Sequence, residues 1–346
     1  MKRENTLLLC IATLAVYILT GCKPDPSIEP EKEISSIPKN WPAPVYNFEN
    51  NPVSDAGFEL GKKLFFDPRL SRTNDVSCGT CHQPFSAFAQ IEHSVSHGVE
   101  ERLGTRNSPA LFNLNWHSSF FWDGGVNHLE VQPINPIQNP VEMDETLENV
   151  IAKLRTDGDY KARFKNVFGS DTINSQRMLK ALAQFMGKLV SSNSKYDKYV
   201  RREAGGTMNA SELNGLQLFE THCSTCHKEP LFSDFSLRNN GLTPAMNNDS
   251  GRAHITREAS DLYKFKVPSL RNLAYSSPYM HDGRFFTLDQ VLDHYENGIE
   301  QSATLDPLLK EGIQLTAQER KDLKAFLNTL NDEEFVKDPR FQEPTD

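Results

Sequence analysis

The sequence predicts an all-α fold of two related helical domains in tandem. Three observations carry this. The pentapeptide Cys-x-x-Cys-His occurs twice, as Cys78-Gly79-Thr80-Cys81-His82 and as Cys223-Ser224-Thr225-Cys226-His227. A long register of other residues repeats around the two copies. Apolar residues recur at helical spacing, and no run alternates convincingly with period two.

Each pentapeptide has the attachment pattern of a c-type haem. Two thiols at this spacing can add to the two vinyl groups of one haem, and the adjacent His then lies under the iron. A zinc ligand pair and a dithiol redox motif are the other readings of such thiols. Both are disfavoured, because each pair ends in His and the chain has no further cysteine pair. Two covalent haems are expected, one on Cys78, Cys81 and His82, the other on Cys223, Cys226 and His227.

The chain begins with a targeting pattern. Lys2 and Arg3 precede an apolar run from Leu7 to Leu19 that is too short to span a bilayer comfortably. It ends at Leu19-Thr20-Gly21-Cys22, which resembles a bacterial lipobox. Residues 1–21 therefore read as a lipoprotein signal peptide, with Cys22 as a lipid anchor facing the periplasm. Residues 22–50, rich in Pro, Glu and Ser, read as a flexible tether. Of the six cysteines, Cys10 leaves with the signal, Cys22 carries lipid and four hold haem, so no disulfide is needed. The remaining length suits two domains, expected at 51–205 and 206–340. A formal net charge of −9 disfavours nucleic acid as a partner.

The repeat runs through both domains. Gly61-x-x-Leu64-Phe65 precedes the first haem motif, and Gly215-x-x-Leu218-Phe219 the second. Phe-Ser-x-Phe follows each, at Phe85 to Phe88 and Phe232 to Phe235. Pro-x-Leu-x-Asn comes next, from Pro109 and from Pro268. Thirteen residues beyond each Pro stand Trp122-Asp123-Gly124 and His281-Asp282-Gly283. The copies then diverge. The first continues into Pro136 to Met143, with Glu142; the second carries Tyr295.

Helices are expected around these motifs. Ser54 and Ser211 are candidate N-caps. Leu147, Val150, Ile151 and Leu154 share a helical face, as do Leu179, Leu182, Phe185, Met186 and Leu189. Thr287 with Gln290, and Thr316 with Glu319, have capping-box form. The second box opens a helix with Leu323, Phe326, Leu327 and Leu330 on one side.

Five segments extend the pattern: Arg106-Asn-Ser-Pro109, Phe121-Trp-Asp-Gly124, Pro136-Ile-Gln-Asn-Pro-Val-Glu-Met143, Val267-Pro-Ser-Leu-Arg-Asn272 and Pro278-Tyr-Met-His-Asp-Gly283. Through them the chain resembles the bacterial di-haem cytochrome c peroxidases, including the MauG-type enzymes, over about residues 50 to 335. The resemblance implies two cytochrome c-like domains. The N-terminal haem would be the peroxide site and the C-terminal haem its electron feed, with hydrogen peroxide as substrate. A small cytochrome c or cupredoxin would be the donor, and a homodimer is compatible with it.

The resemblance also assigns residues. Glu142 falls at the catalytic acid–base, Gln132 at a distal-pocket glutamine, and Trp122 at the tryptophan between the haems. The arginine that usually follows that tryptophan is absent, since the motif reads Trp-Asp-Gly-Gly125. His97 resembles the loop histidine that ligates the resting active haem, although it lies two residues further from Arg106 than the pattern expects. His93 is close by. Fourteen residues after His281, where ordinary members carry Met, stands Tyr295. The MauG-type branch places an axial tyrosine there, while Met280 or His294 would be the substitutes. Asn107, Ser276 and Pro278 match a calcium site between the domains. The implied activity is peroxide reduction to water. The alternatives are MauG-like oxidation of a protein partner through high-valent haem, and a non-catalytic electron-transfer cytochrome.

Overall fold

Two helix pairs, one in each half, frame the molecule. The computed structural model describes residues 37–244 and 248–344, all within the unit Ile37–Asp346. The expected signal peptide and the Cys22 anchor lie outside the described residues. The first pair is Asp55–Phe65 against Ser175–Gly187; the second is Ala210–His222 against Ala317–Asn328. The named strands among the described residues form one short antiparallel pair, Leu237–Arg238 with Phe265–Lys266. No described helix is long and apolar enough to cross a membrane.

The repeated glycines explain how each pair closes. A Cβ on Gly61 would lie 2.0 Å from the Ala181 carbonyl oxygen, and one on Gly215 would lie 1.9 Å from that of Asp322. Only hydrogen fits where the two backbones approach this closely. The close approach brings rings together below the crossing. Phe65 meets Phe185 at 5.0 Å between centroids, and Phe219 meets Phe326 at 5.1 Å.

The ends of these helices follow from capping chemistry. Ser54 accepts from the Gly57 amide, and the capping boxes at Thr287 and Thr316 both form. Ser211, expected as a cap, lies inside its helix. Asn209 caps instead, in a reciprocal box with Glu212, because Asn at this position can accept from the third helical amide. Ser211 bonds to Asp322 on the facing helix.

The apolar stripes bury into two cores. One gathers Phe58 to Leu189 together with Phe335, Val336 and Phe341; the other runs from Tyr196 to Leu330. The chain thus passes to the second core between Leu189 and Tyr196, and its last α-helix, Glu333–Val336, returns to the first. The stretch from residue 37 to 50, expected as part of the tether, is packed down. Trp41 meets Trp116 edge-on at 4.9 Å and lies 4.9 Å from the Arg271 guanidinium, and the Pro42 carbonyl accepts from the Trp116 indole at 2.8 Å. Two Trp rings and a buried Arg outweigh the local Pro-rich composition that pointed to a tether.

Candidate functional site

A single cavity of about 860 Å³ is lined by both pentapeptides. In the first, Cys78–Cys81 forms one helical turn and His82 follows as its cap, its amide donating to the Cys78 carbonyl at 2.9 Å. In the second, the His227 amide donates to the Cys223 carbonyl at 2.9 Å as well. None of these four cysteines is in a disulfide.

Each histidine is oriented through its backbone neighbours. His82 Nδ1 donates to the Phe88 carbonyl at 2.9 Å, and His227 Nδ1 lies 3.1 Å from the carbonyls of Phe232 and Pro268. A proton fixed on Nδ1 leaves Nε2 as the ring nitrogen that can ligate a metal. Burial pushes the His82 imidazole down to about 4 and lowers that of His227, so both are neutral at pH 7. The paired thiols, the neutral imidazoles and the cavity between them fit two c-type haems.

These contacts correct one detail of the repeat. The letters match Phe85 with Phe232, but the structure matches Phe88 with Phe232. Both are fully buried and both offer the carbonyl to the proximal histidine, whereas Phe85 is exposed. The haem motif and the helix pair set this geometry, and the local Phe-Ser-x-Phe letters do not.

Above the first pentapeptide, Glu142 is held at the end of a turn. Its Oε1 accepts from Asn139 Nδ2 at 2.9 Å, and burial raises its carboxyl above the usual range while this hydrogen bond opposes the rise. Gln132 is buried and lines the same cavity. His97 lines it too. Its ring lies 4.1 Å from that of His93, and its carbonyl accepts from Cys81 Sγ at 3.4 Å. Gly98 lets this loop lie on the Glu142 segment, since a Cβ there would meet the Glu142 carbonyl oxygen at 2.3 Å.

Trp122 stands between the halves. Its indole donates to the Asn107 carbonyl at 2.8 Å, and its own carbonyl accepts from the Lys266 amide at 2.7 Å. Asp123 pairs with Arg106 at 2.6 Å, which also grips Asp249 at 2.6 Å. The turn after Trp122 is instead reached by an arginine from elsewhere in the chain. Arg252 donates to the carbonyls of Asp123 and Gly124 at 3.1 and 2.8 Å. Sequence reasoning missed this contact, because Arg252 is remote in the chain. It also missed Lys266, whose ammonium sits on the Ser119 carbonyl at 2.8 Å and which burial lowers to about 7.

Facing the second pentapeptide, Tyr295 projects from the helix Leu288–Asn297 and lines the cavity. Burial raises its phenol, and a hydrogen bond to the Asn240 side chain opposes the rise. Met280 lies beside it, with its sulfur 3.7 Å from Asn240 Nδ2. His294 is turned to the Asn240 carbonyl at 3.0 Å, so that nitrogen is engaged. Asn107, Ser276 and Pro278 also line the cavity. The Asn107 amide nitrogen donates to the Ser94 carbonyl at 3.2 Å, which turns Nδ2 away from any cation and leaves Oδ1 as the donor.

The chain is similar to known proteins. Residues 55–205 match the family model described as di-haem cytochrome c peroxidase. The chain is 34% identical to the methylamine utilization protein MauG of Methylorubrum extorquens, over 94% of this chain and 93% of that protein. It is 37% identical to the cytochrome c551 peroxidase of Nitrosomonas europaea, over 68% of this chain and 71% of that protein. A crystal structure of a MauG-like protein associated with microbial copper homeostasis superposes with a TM-score of 0.81 at 32% identity, covering 89% of this chain and 98% of that one. With two haem-attachment motifs opening on one cavity, the chain is an enzyme of the di-haem cytochrome c peroxidase and MauG family.

Proposed function

We propose that the protein is a periplasmic di-haem peroxidase that reduces hydrogen peroxide to water. Two protons and two electrons convert one peroxide into two waters. Cys78, Cys81 and His82 would hold the peroxidatic haem; Cys223, Cys226 and His227 would hold the second. Bound haem supplies the iron that takes peroxide and the redox equivalents that cleave it.

The observation that carries this reading is the Glu142 carboxylate, buried in the cavity that the first pentapeptide lines. Peroxide must lose one proton on binding, and its far oxygen must gain one on leaving. A carboxylate raised by burial can accept the first and return it. Asn139 fixes the carboxylate by hydrogen bonding to one oxygen, which leaves the other for substrate. Gln132 supplies an amide from the same wall to orient the peroxide. A small cytochrome c or cupredoxin would supply the electrons, and Trp122, which the Asn107 carbonyl holds in place, would lie on their path between the halves. Asn107 Oδ1 with the carbonyls of Ser276 and Pro278 offers a hard oxygen set for calcium. The Cys22 lipid keeps the enzyme at a membrane surface.

The test is peroxide consumption by the purified protein with a reduced small cytochrome as donor. The denatured chain, extracted with acidic organic solvent, should keep two haems by mass. Absence of turnover with both haems in place sinks the reading.

One observation favours a second reading. Tyr295 faces the second pentapeptide, and an anionic oxygen on iron favours the ferric state. Such an enzyme would oxidise a protein partner, as the likeness to MauG allows. A covalently altered partner after peroxide treatment separates this from simple peroxide reduction.

A further inference from the structure

Among the described residues, the Lys and Arg side chains that line the cavity are Arg106, Arg238, Lys266 and Arg271. The arginines are matched by carboxylates. Arg106 pairs with Asp123 and Asp249, Arg238 with Asp234 and Asp306, and Arg271 with Asp197. Lys266 forms no ion pair among the described residues. Its Nζ donates to the Ser119 carbonyl at 2.8 Å and lies 3.3 Å from His117 Nδ1. The nearby Asp123 is already engaged, through Oδ2 by Arg106 and through Oδ1 by the Gly125 amide.

The ammonium is held firmly. Lys266 ends the strand Phe265–Lys266 of the second half, and its amide donates to the Trp122 carbonyl of the first at 2.7 Å. Main chain and side chain thus both grip the bend that carries Trp122. The Phe120 ring centroid lies 5.9 Å from Nζ, and His117 packs against Phe235 with ring centroids 4.2 Å apart. Burial keeps His117 neutral, so its Nδ1 can accept from the ammonium. An ammonium has three N–H donors. Ser119 and His117 use two, which leaves the third for the cavity that Lys266 lines. Rings solvate a cation weakly, so an anion within reach of this donor would stabilise it most.

We propose that Lys266 anchors a haem carboxylate at the boundary of the two halves, with Ser119 and His117 aiming its ammonium. The proposal rests on both haems being attached as proposed above. A c-type haem is an apolar plate whose anionic groups are its two carboxylates. Either haem could supply the carboxylate, since both pentapeptides open on the cavity. The pairing would tie that haem to the bend carrying Trp122.

The experiment uses the di-haem protein and titrates the potential of each haem, followed by its visible spectrum, across a series of pH values. Lys266→Gln keeps a donor for the Ser119 carbonyl and removes the charge; Lys266→Arg keeps the charge. An ammonium beside a carboxylate favours its ionised form, and a charged hydrogen bond shifts the ionisation constant by about 10–100-fold. Ferric iron favours the ionised carboxylate, so the potential rises as pH falls through the carboxylate's value. In Lys266→Gln that rise should begin about one to two pH units higher for one haem, and Lys266→Arg should restore the wild-type curve. The haem that moves owns the carboxylate. If Lys266→Gln retains two haems by mass and both curves match wild type, Lys266 only clips the bend and the proposal is overturned. If that variant loses haem, wild-type protein with carbon-13 in its haem carboxylates decides by infrared titration. One carboxylate should then stay ionised about one to two pH units below the others; all titrating together overturns the proposal. A wild-type chain without two haems by mass would instead sink the underlying reading.

Discussion

The two halves are built alike and equipped differently. Each closes a helix pair over a glycine, presents a histidine to backbone carbonyls and turns the chain through a matched bend. The Phe120 amide donates to Val126 at 2.7 Å, and the Tyr279 amide to Phe285 at 2.7 Å. Gly124 and Gly283 sit in these bends at φ +66° and +65°, a region that Gly enters at no steric cost. The two repeat asparagines, Asn113 and Asn272, even converge on Ser191. What differs is the wall above each pentapeptide. The first presents Glu142 with Asn139; the second presents Tyr295 and Met280 with Asn240. Scaffold positions satisfy backbone hydrogen bonds that either haem needs. On the proposed function, wall positions set proton transfer and iron potential, so they are free to diverge.

The sharpest way to break this comparison is Glu142→Gln, which keeps size and hydrogen bonding but loses the basic carboxylate. Peroxide turnover should fall about 10²–10⁴-fold with haem content and visible spectrum unchanged. Unchanged turnover would assign Glu142 to structure and make the halves chemically alike. Tyr295→Met converts the second wall to that of an ordinary peroxidase. The second haem's potential should rise in a redox titration, since thioether sulfur stabilises ferrous iron and phenolate ferric. A potential equal to wild type would mean that Tyr295 is a core residue.

The shared scaffold is tested by Gly61→Ala and Gly215→Ala. Each adds one methyl where the facing carbonyl leaves no room, and each should lower stability by about 1–3 kcal/mol in denaturant unfolding. A large loss in one half alone would deny the equivalence. The smallest effect comes from Asn139→Ala. Its hydrogen bond holds the Glu142 carboxyl down, so removal raises that group further. Glu142 must be deprotonated to accept the peroxide proton, so activity is lost as pH falls through its raised value. The acid limb of kcat/KM should therefore move upward, by about one pH unit for a charged hydrogen bond of about 1.5 kcal/mol. An unmoved limb would detach Asn139 from the titration.

Much of the site was legible in the sequence because covalent chemistry demands fixed spacing. Two thiols two residues apart with an adjacent histidine form a local attachment pattern for haem, so both pentapeptides could be read without coordinates. The helices that carry the repeat were legible through 3.6-residue periodicity and caps, though the cap at Asn209 was misplaced by two residues. Glu142, Trp122 and Tyr295 needed the resemblance, because a lone acid or aromatic has no local signature.

The sequence by itself determined that there are two haem-attachment motifs, a duplicated helical scaffold around them, and a diverged wall residue in each copy. These follow from local spacing, which the chain carries regardless of how it folds. Only the tertiary structure decided that both motifs open on one cavity and that Phe88 rather than Phe85 matches Phe232. It alone set Arg252 at the Trp122 turn, Trp41 against Arg271, and Asn240 against Met280. Each of these pairs residues far apart in the chain through side-chain contacts or backbone carbonyls. Such contacts leave no periodic trace, because any residue of suitable reach can make them once the packing of the helices has brought it there.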